Sequence, residues 1–240
     1  MQLFSTDIDG TIYDGPESAE RFASFWEKLQ DSETPPLLVY NTGRSIEDAI
    51  QLIHCTRLPD PDYLIGGVGT CILDFRHDAE IEEWSQVLSD NWDISKIEKL
   101  VLRYSGEIEP QPEECQNPYK SSWFWRDQID ENIEGLRQAF ISEEIEAQVV
   151  YSSSRDLDVL PVAANKGNAV SWLAARLEIA KNEITVAGDS GNDLSMFLVE
   201  KCEGIVVSNA EPGLLRSVPD ELVFKANQPC VDGVIEGIRY

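Results

Sequence analysis

The chain is poor in histidine, in cysteine and in positive charge, with two His, five Cys and 19 Lys and Arg set against 44 Asp and Glu in 240 residues. Each shortage closes off a class of function. With only His54 and His77, a zinc site or a histidine-based catalytic triad would have very little to be built from. Cys55, Cys71, Cys115, Cys202 and Cys230 are odd in number, widely spread and never in the short paired spacing of a zinc or redox motif, so they are expected to be fillers or bystanders. A formal net charge of −25 repels phosphate backbones and anionic lipid surfaces, which makes nucleic acid and membrane poor partners. No stretch reaches the roughly 20 apolar residues of a spanning helix. The opening Met1-Gln2-Leu3-Phe4-Ser5-Thr6-Asp7 also lacks the basic and then apolar plan of a secretion signal, so the expected location is cytoplasmic.

What is present is a rhythm. Leu3–Thr6 and Leu37–Tyr40 read as strands, separated by a helix over about Glu17–Gln30 and followed by another from about Ser45. In the first helix Ala19, Phe22, Ala23, Trp26 and Leu29 recur at spacings of three and four, a single apolar stripe suited to packing on a sheet. The turn Asp60-Pro61-Asp62 leads into a strand through Ile65 and then a short glycine run, Gly66-Gly67-Val68-Gly69. From about Glu80 the texture changes to more Glu and Trp, with helices predicted over Ile94–Tyr104 and Ile129–Ile141 and strands over Ser121–Trp125 and Gln148–Ser152. After Pro161 the first rhythm returns: a helix through Trp172 and Leu177, a strand Ile184–Ala187, a helix from Leu194 and a strand Gly204–Val207. The expected fold is α/β, a Rossmann-like parallel-sheet core (1–79 and 162–240) interrupted by an inserted α+β cap (80–161). The Trp123-Phe124-Trp125 run alternates like a strand and is assigned to the core of that insert.

Three predicted strands end in polar residues that apolar packing does not explain: Asp7-Ile8-Asp9-Gly10-Thr11, Asn41-Thr42-Gly43-Arg44 and Gly188-Asp189-Ser190-Gly191-Asn192-Asp193. In open parallel sheets ligands bind beyond the carboxyl ends of the strands, so the three loops can converge on one site. Each alone reads as a turn or a helix cap; the combination points to chemistry. Convergence brings Asp7, Asp9, Asp189 and Asp193 together, and four carboxylates require a compensating cation. An all-oxygen donor set favours Mg²⁺, which shares carboxylates with a substrate phosphate. Asp7 and Asp9 would face opposite ways in an extended strand, so the chain must turn after Asp7, and Gly10 assists that turn.

At these residues the sequence resembles the haloacid dehalogenase superfamily of aspartyl-phosphate phosphatases: Asp7-x-Asp9-x-Thr11 is similar to its first motif, Thr42 to its second, Lys166 to its third and Gly188-Asp189 through Asp193 to its fourth. The insert lies where members with a class II cap carry an α+β lid. Within the superfamily it resembles the sucrose-phosphatase branch in Asn117-Pro118-Tyr119-Lys120-Ser121, in Ser152-Ser153-Ser154-Arg155-Asp156 on to Pro161, and in Asn165-Lys166-Gly167-Asn168. Mannosylfructose-phosphate phosphatases are similar in the same stretches. The resemblance implies a Mg²⁺-dependent phosphatase acting on a disaccharide phosphate, with sucrose 6-phosphate first and mannosylfructose phosphate or another sugar phosphate as the alternative.

The roles it implies are Asp7 as nucleophile, forming a phospho-aspartate, and Asp9 as the acid and then the base. Thr42 and Lys166 would hold the phosphoryl oxygens. The metal would be held by Asp7, the Asp9 carbonyl and Asp189, with Asp193 on the metal or in its water shell. Substrate contacts are expected from Gly43, Arg44, Asn117, Lys120, Arg155, Asp156 and Asn192, with Lys120 and Asp156 preferred for the sugar. A sugar-phosphate synthase is a possible partner. A signalling receiver domain also forms a phospho-aspartate with Mg²⁺, but it is about half this length, has no inserted cap and lacks an acid two residues after the nucleophile.

Overall fold

A computed structural model of the chain describes residues 1–152 and 154–240; Ser153, within the Ser152-to-Pro161 stretch quoted above, lies outside the described residues. Two compact units are present, Met1–Ile81 with Lys166–Tyr240, and Glu82–Asn165. The first unit opens with β1 (Leu3–Thr6), α1 (Pro16–Gln30), β2 (Leu37–Asn41), α2 (Ile46–Cys55), β3 (Tyr63–Gly66), β4 (Cys71–Asp74) and β5 (Ala79–Glu80). The second comprises α3 (Glu82–Leu88), α4 (Ile94–Tyr104), β6 (Glu109–Pro110), β7 (Ser121–Phe124), α5 (Asp130–Ser142), β8 (Gln148–Ser152) and β9 (Asp156–Leu160). The first then resumes with α6 (Lys166–Arg176), β10 (Ile184–Gly188), α7 (Leu194–Phe197), β11 (Glu203–Val206), α8 (Pro212–Ser217), β12 (Val223–Lys225) and α9 (Cys230–Arg239).

The first unit is an eight-stranded sheet in the order β12-β11-β10-β1-β2-β3-β4-β5, parallel from β12 to β3 and antiparallel for β4 and β5. All four residues of β1 are buried, as a central parallel strand covered on both faces requires. Helix α1 starts with a proline, whose missing N–H costs nothing in the first turn, and turns Phe22 and Trp26 inward. Trp26 stacks on Phe4 of β1 and on Phe22, fixing the helix to the sheet. The α2 helix is capped by Ser45, whose hydroxyl accepts the Asp48 N–H at 3.2 Å. From β1 the chain order departs in both directions, to β2 on one side and β10 on the other, which makes the carboxyl end of β1 the topological switch point of the sheet.

The second unit is a four-stranded antiparallel sheet, β6-β7-β9-β8. Trp123, Leu157, Val159 and Val149 project from one face into a core with Ile97, Leu100 and Val101 of α4 and Ile133, Leu136 and Phe140 of α5. Strand alternation sends Ser122, Phe124, Asp156 and Asp158 to the other face. The Trp123-Phe124-Trp125 run is therefore split: both tryptophans are buried, whereas Phe124 is half-buried with the Arg126 and Arg155 guanidiniums 5.2 and 5.4 Å from its ring centre. Two features differ from expectation in detail. The helix expected from Leu194 is the single turn α7, entered through a 3₁₀ turn at Gly191–Asp193. The segment after Arg155, for which the sequence predicts no element, is the interior strand β9.

Candidate active site

Asp7 follows β1, Thr42 follows β2, and Asp189 follows β10, so the three strands flanking the switch point each deliver a polar residue just past their last paired rung. The turn after Asp7 is made by Gly10, at φ +76, whose N–H returns to the Tyr13 carbonyl at 2.9 Å. A Cβ on Gly10 would collide with Asp189 Oδ2, so this glycine is required both by its backbone conformation and by the approach of the carboxylate. Asn209 Nδ2 donates to the Gly10 carbonyl at 2.8 Å and holds the loop from the β11 side.

Asp7, Asp189 and Asp193 lie with one carboxylate oxygen of each within 4.8 Å of the others. Lys166, the first residue of α6, is fully buried and donates from Nζ to Asp7 Oδ1 at 2.7 Å and to Asp193 Oδ1 at 2.6 Å. The other Asp193 oxygen accepts the Asp189 and Ser190 N–H groups, both at 2.9 Å. Thr11 Oγ1 donates across the gap between Asp189 Oδ1 at 3.2 Å and Asp7 Oδ2 at 3.4 Å. Asp193 is thus engaged through both oxygens, whereas among the described residues Asp7 Oδ2 and the Asp189 carboxylate share the Thr11 hydroxyl.

Burial pushes the Asp7 carboxyl up to about 8, against the pull of Lys166 and with added repulsion from Asp193 and Asp189. Burial, and then Asp193, push Asp189 up to about 7. For Lys166 burial works to lower the pKa, but Asp193 and Asp7 outweigh it and the ammonium is held above its ordinary value. One cation among three carboxylates, two buried and one half-buried, leaves an excess of negative charge. An all-oxygen cluster with its charge unbalanced fits a hard divalent cation, and the residues present suit one.

Asp9 stands apart from this cluster. Its side chain is half exposed, and both oxygens accept from Arg44 at 2.7 Å, a bidentate fork. The same guanidinium reaches Asp48 of α2 at 2.6 Å, and the Asp9 bond, before all else, raises its pKa further. Thr42 is buried, and its Oγ1 accepts the Arg44 N–H at 3.2 Å, which leaves the hydroxyl proton to donate. Gly43 lies beside Asn192, whose Nδ2 would stand 3.7 Å from a Cβ there, and Asn192 Oδ1 accepts from Ser190 Oγ at 3.2 Å.

The remaining predicted residues belong to the second unit. Lys120 is buried and paired with Asp158 at 3.4 Å, and Asp158 also accepts from Ser122 Oγ at 2.7 Å. Asn117 and Lys120 exchange main-chain hydrogen bonds across a tight bend, at 3.2 and 3.1 Å. Arg155 and Asp156 pair with each other through two bonds of 2.9 and 3.0 Å, and Asp156 Oδ1 takes a third from Gln111 at 3.0 Å. The sequence reading passed over Asp158, although its place two residues after Asp156 in a strand puts both on one face, and over Asn41 and Asn209, whose partners are remote in sequence.

The whole chain, residues 1–240, matches the sequence profile of the family described as sucrose-6F-phosphate phosphohydrolase. A mannosylfructose-phosphate phosphatase from Agrobacterium fabrum is 40% identical over 100% of this chain and 96% of its own length. A probable sucrose-phosphatase from Arabidopsis thaliana is 31% identical over 99% of this chain, which spans 59% of that protein. Among solved structures, the sucrose-phosphatase from Synechocystis, determined with sucrose and phosphate, has a TM-score of 0.88 at 30% identity, covering 99% of this chain and 97% of that one. More distant structures named haloacid dehalogenase-like hydrolases, at 17 and 18% identity, share the fold. By its whole-length match and its fold, the chain belongs to the sucrose-6F-phosphate phosphohydrolase family, sugar-phosphate phosphatases with the haloacid dehalogenase fold.

Proposed function

We propose that the chain is a Mg²⁺-dependent phosphatase that removes phosphate from a fructose-containing disaccharide phosphate. The observation that carries the chemistry is the buried Lys166 bridging Asp7 and Asp193 beside Asp189, at the switch point of the sheet. The whole-length family match supports sucrose 6-phosphate, the substrate expected from sequence, and the 40% identity to a mannosylfructose-phosphate phosphatase supports mannosylfructose phosphate as the first to test.

Asp7 attacks phosphorus through a carboxylate oxygen and becomes a phospho-aspartate as the sugar oxygen departs; water then cleaves the acyl phosphate and restores the carboxylate. Asp9 gives the departing oxygen its proton and takes one from the attacking water. Both Asp9 oxygens accept from Arg44, so the proton would be carried on a lone pair that this fork leaves free. Asp7, Asp189 and the Asp9 carbonyl would hold Mg²⁺, with Asp193 fixing the loop and the lysine. The bound cation would supply positive charge that keeps Asp7 ionised and offsets the charge of the phosphoryl group. Lys166 and the Thr42 hydroxyl would hold the phosphoryl oxygens. Lys120, with Asn117, and the Arg155–Asp156 pair offer donors and acceptors of the kind sugar hydroxyls use. A disaccharide phosphate arises by glycosyl transfer onto a sugar phosphate, so a sugar-phosphate synthase is the proposed supplier.

Phosphate release with Mg²⁺ from mannosylfructose phosphate, sucrose 6-phosphate, glucose 6-phosphate and an aryl phosphate, compared by kcat/KM, tests this reading. The expected result is a preference of at least tenfold for one of the two disaccharide phosphates. Equal kcat/KM on all four would overturn the disaccharide assignment, and no release from any would overturn the phosphatase reading.

A further inference from the structure

Strand β2 runs through the core as Leu38-Val39-Tyr40 and ends at Asn41, which is fully buried. The two ends of its amide are treated differently. Nδ2 donates to the Lys166 main-chain carbonyl at 2.9 Å, with Ser5 Oγ and Met196 Sδ each at 3.4 Å, whereas Oδ1 has no hydrogen-bond partner among the described residues. The Lys166 carbonyl fixes this orientation, because the flipped amide would set two oxygens against each other. A buried unpaired oxygen is unfavourable, whereas the donor half holds the Lys166 carbonyl and is the partner of the buried Ser5 Oγ. The donor half of Asn41 is thus kept at the cost of its acceptor half.

We propose that Asn41 is a positioning residue that sets Lys166 in the phosphoryl site, an inference that rests on the phosphatase reading given above. Its donor grips the first residue of α6 from the β2 side. The next residue, Gly167, donates its N–H to Ser195 Oγ at 3.0 Å, and a Cβ on Gly167 would collide with the Ser195 carbonyl. Two consecutive residues at the start of α6 are therefore anchored, the first to β2 and the second to α7, and the lysine side chain leaves from the first of them. Asn41 also directly precedes Thr42. One residue thereby ties the strand end that carries the hydroxyl to the helix start that carries the ammonium, and fixes the spacing of the two groups assigned to the phosphoryl oxygens.

Asn41→Leu and Asn41→Ala in the full chain test this. Both remove the donor; the first also fills the space, and the second stands in if the leucine does not fold. The expected result is a kcat about 10- to 100-fold lower, by the same factor on mannosylfructose phosphate and on p-nitrophenyl phosphate, with KM within about threefold, as for a displaced catalytic group. A folded variant with kcat within about twofold of the parent would overturn the inference, as would a loss confined to the sugar substrate. A second readout separates this inference from the phosphatase reading: the rise in thermal midpoint given by Mg²⁺ with inorganic phosphate. If the parent chain cleaves no ester, the phosphatase reading fails; a smaller rise in the variants then still supports positioning by Asn41, and an unchanged rise overturns it.

Discussion

Lys166 is fully enclosed between two carboxylates, and that determines what its removal does. Lys166→Met keeps the aliphatic stem but leaves Asp7 and Asp193 facing each other without the ammonium. The expected loss is about 3–5 kcal/mol of stability, the cost of breaking a buried ion pair from one side, read by urea unfolding in EDTA; a loss below about 1 kcal/mol would contradict the bridging geometry. Asp7→Asn removes the nucleophile while keeping its shape, and turnover should cease in a folded protein; an active variant would sink the assignment. The carboxyls also set a pH dependence. Asp7 at about 8 and Asp189 at about 7 stand above the ordinary value of 3.8, so the folded state holds protons that the unfolded chain has released. The stability these groups contribute is complete below about pH 4 and is lost as pH rises through 7 and 8. A cation bound to the same oxygens displaces the protons and removes that loss. The rise in melting temperature produced by Mg²⁺ over EDTA should therefore be larger at pH 8 than at pH 5.5, and equal rises at both would contradict the raised carboxyls.

Among the elements, those whose residues repeat with one clear period were legible in the sequence. Helix α4 was expected at its observed bounds because Ile97, Leu100 and Val101 form a stripe, and β1, β2 and β10 because each is a short apolar run bounded by polar turns. Strand β9 was not, because Asp156-Leu157-Asp158-Val159-Leu160 places two carboxylates where a buried strand is expected to be apolar. Its pairing partner explains them: Ser122 lies opposite Asp158 in register and donates to it, and Lys120 supplies the opposite charge. The Asp7, Asp9 and Asp189 loops were legible as polar interruptions after strands, but the Asn41 contact to Lys166 spans 125 residues of sequence and has no local signature. In the second unit, Asp158→Ala would strand a buried lysine. A loss of about 3–5 kcal/mol is expected, and Asp158→Ala combined with Lys120→Met should recover part of it; a double variant no more stable than the single one would show that the pair is not the cause. Chemical unfolding followed by tryptophan fluorescence reads both, since Trp123 and Trp125 lie in that unit's core.

At the scale of the whole molecule the governing quantity is the net charge of −25. With 19 Lys and Arg for 44 Asp and Glu, at least 25 carboxylates have no basic residue to pair with one to one. Folding brings those charges closer together, so their mutual repulsion opposes the compact state. The core must offset that repulsion, and the excess around Asp7 adds a local share that bound protons or a bound cation relieve. The two contributions separate by their response to ions. Screening by monovalent salt acts on the surface charges, because the Debye length falls from about 30 Å at 0.01 M to about 3 Å at 1 M, and it acts much less on buried groups. Raising KCl across that range in EDTA should lift the melting temperature by several degrees and without saturation, and NaCl should do the same. Mg²⁺ at millimolar concentration should add a further, saturable rise at any KCl concentration, and Asp189→Asn should remove that rise while leaving the KCl slope intact. A melting temperature indifferent to KCl would mean that surface repulsion contributes little to the stability of this chain. A KCl slope abolished by Asp189→Asn would instead place the ion sensitivity wholly in the carboxylate cluster.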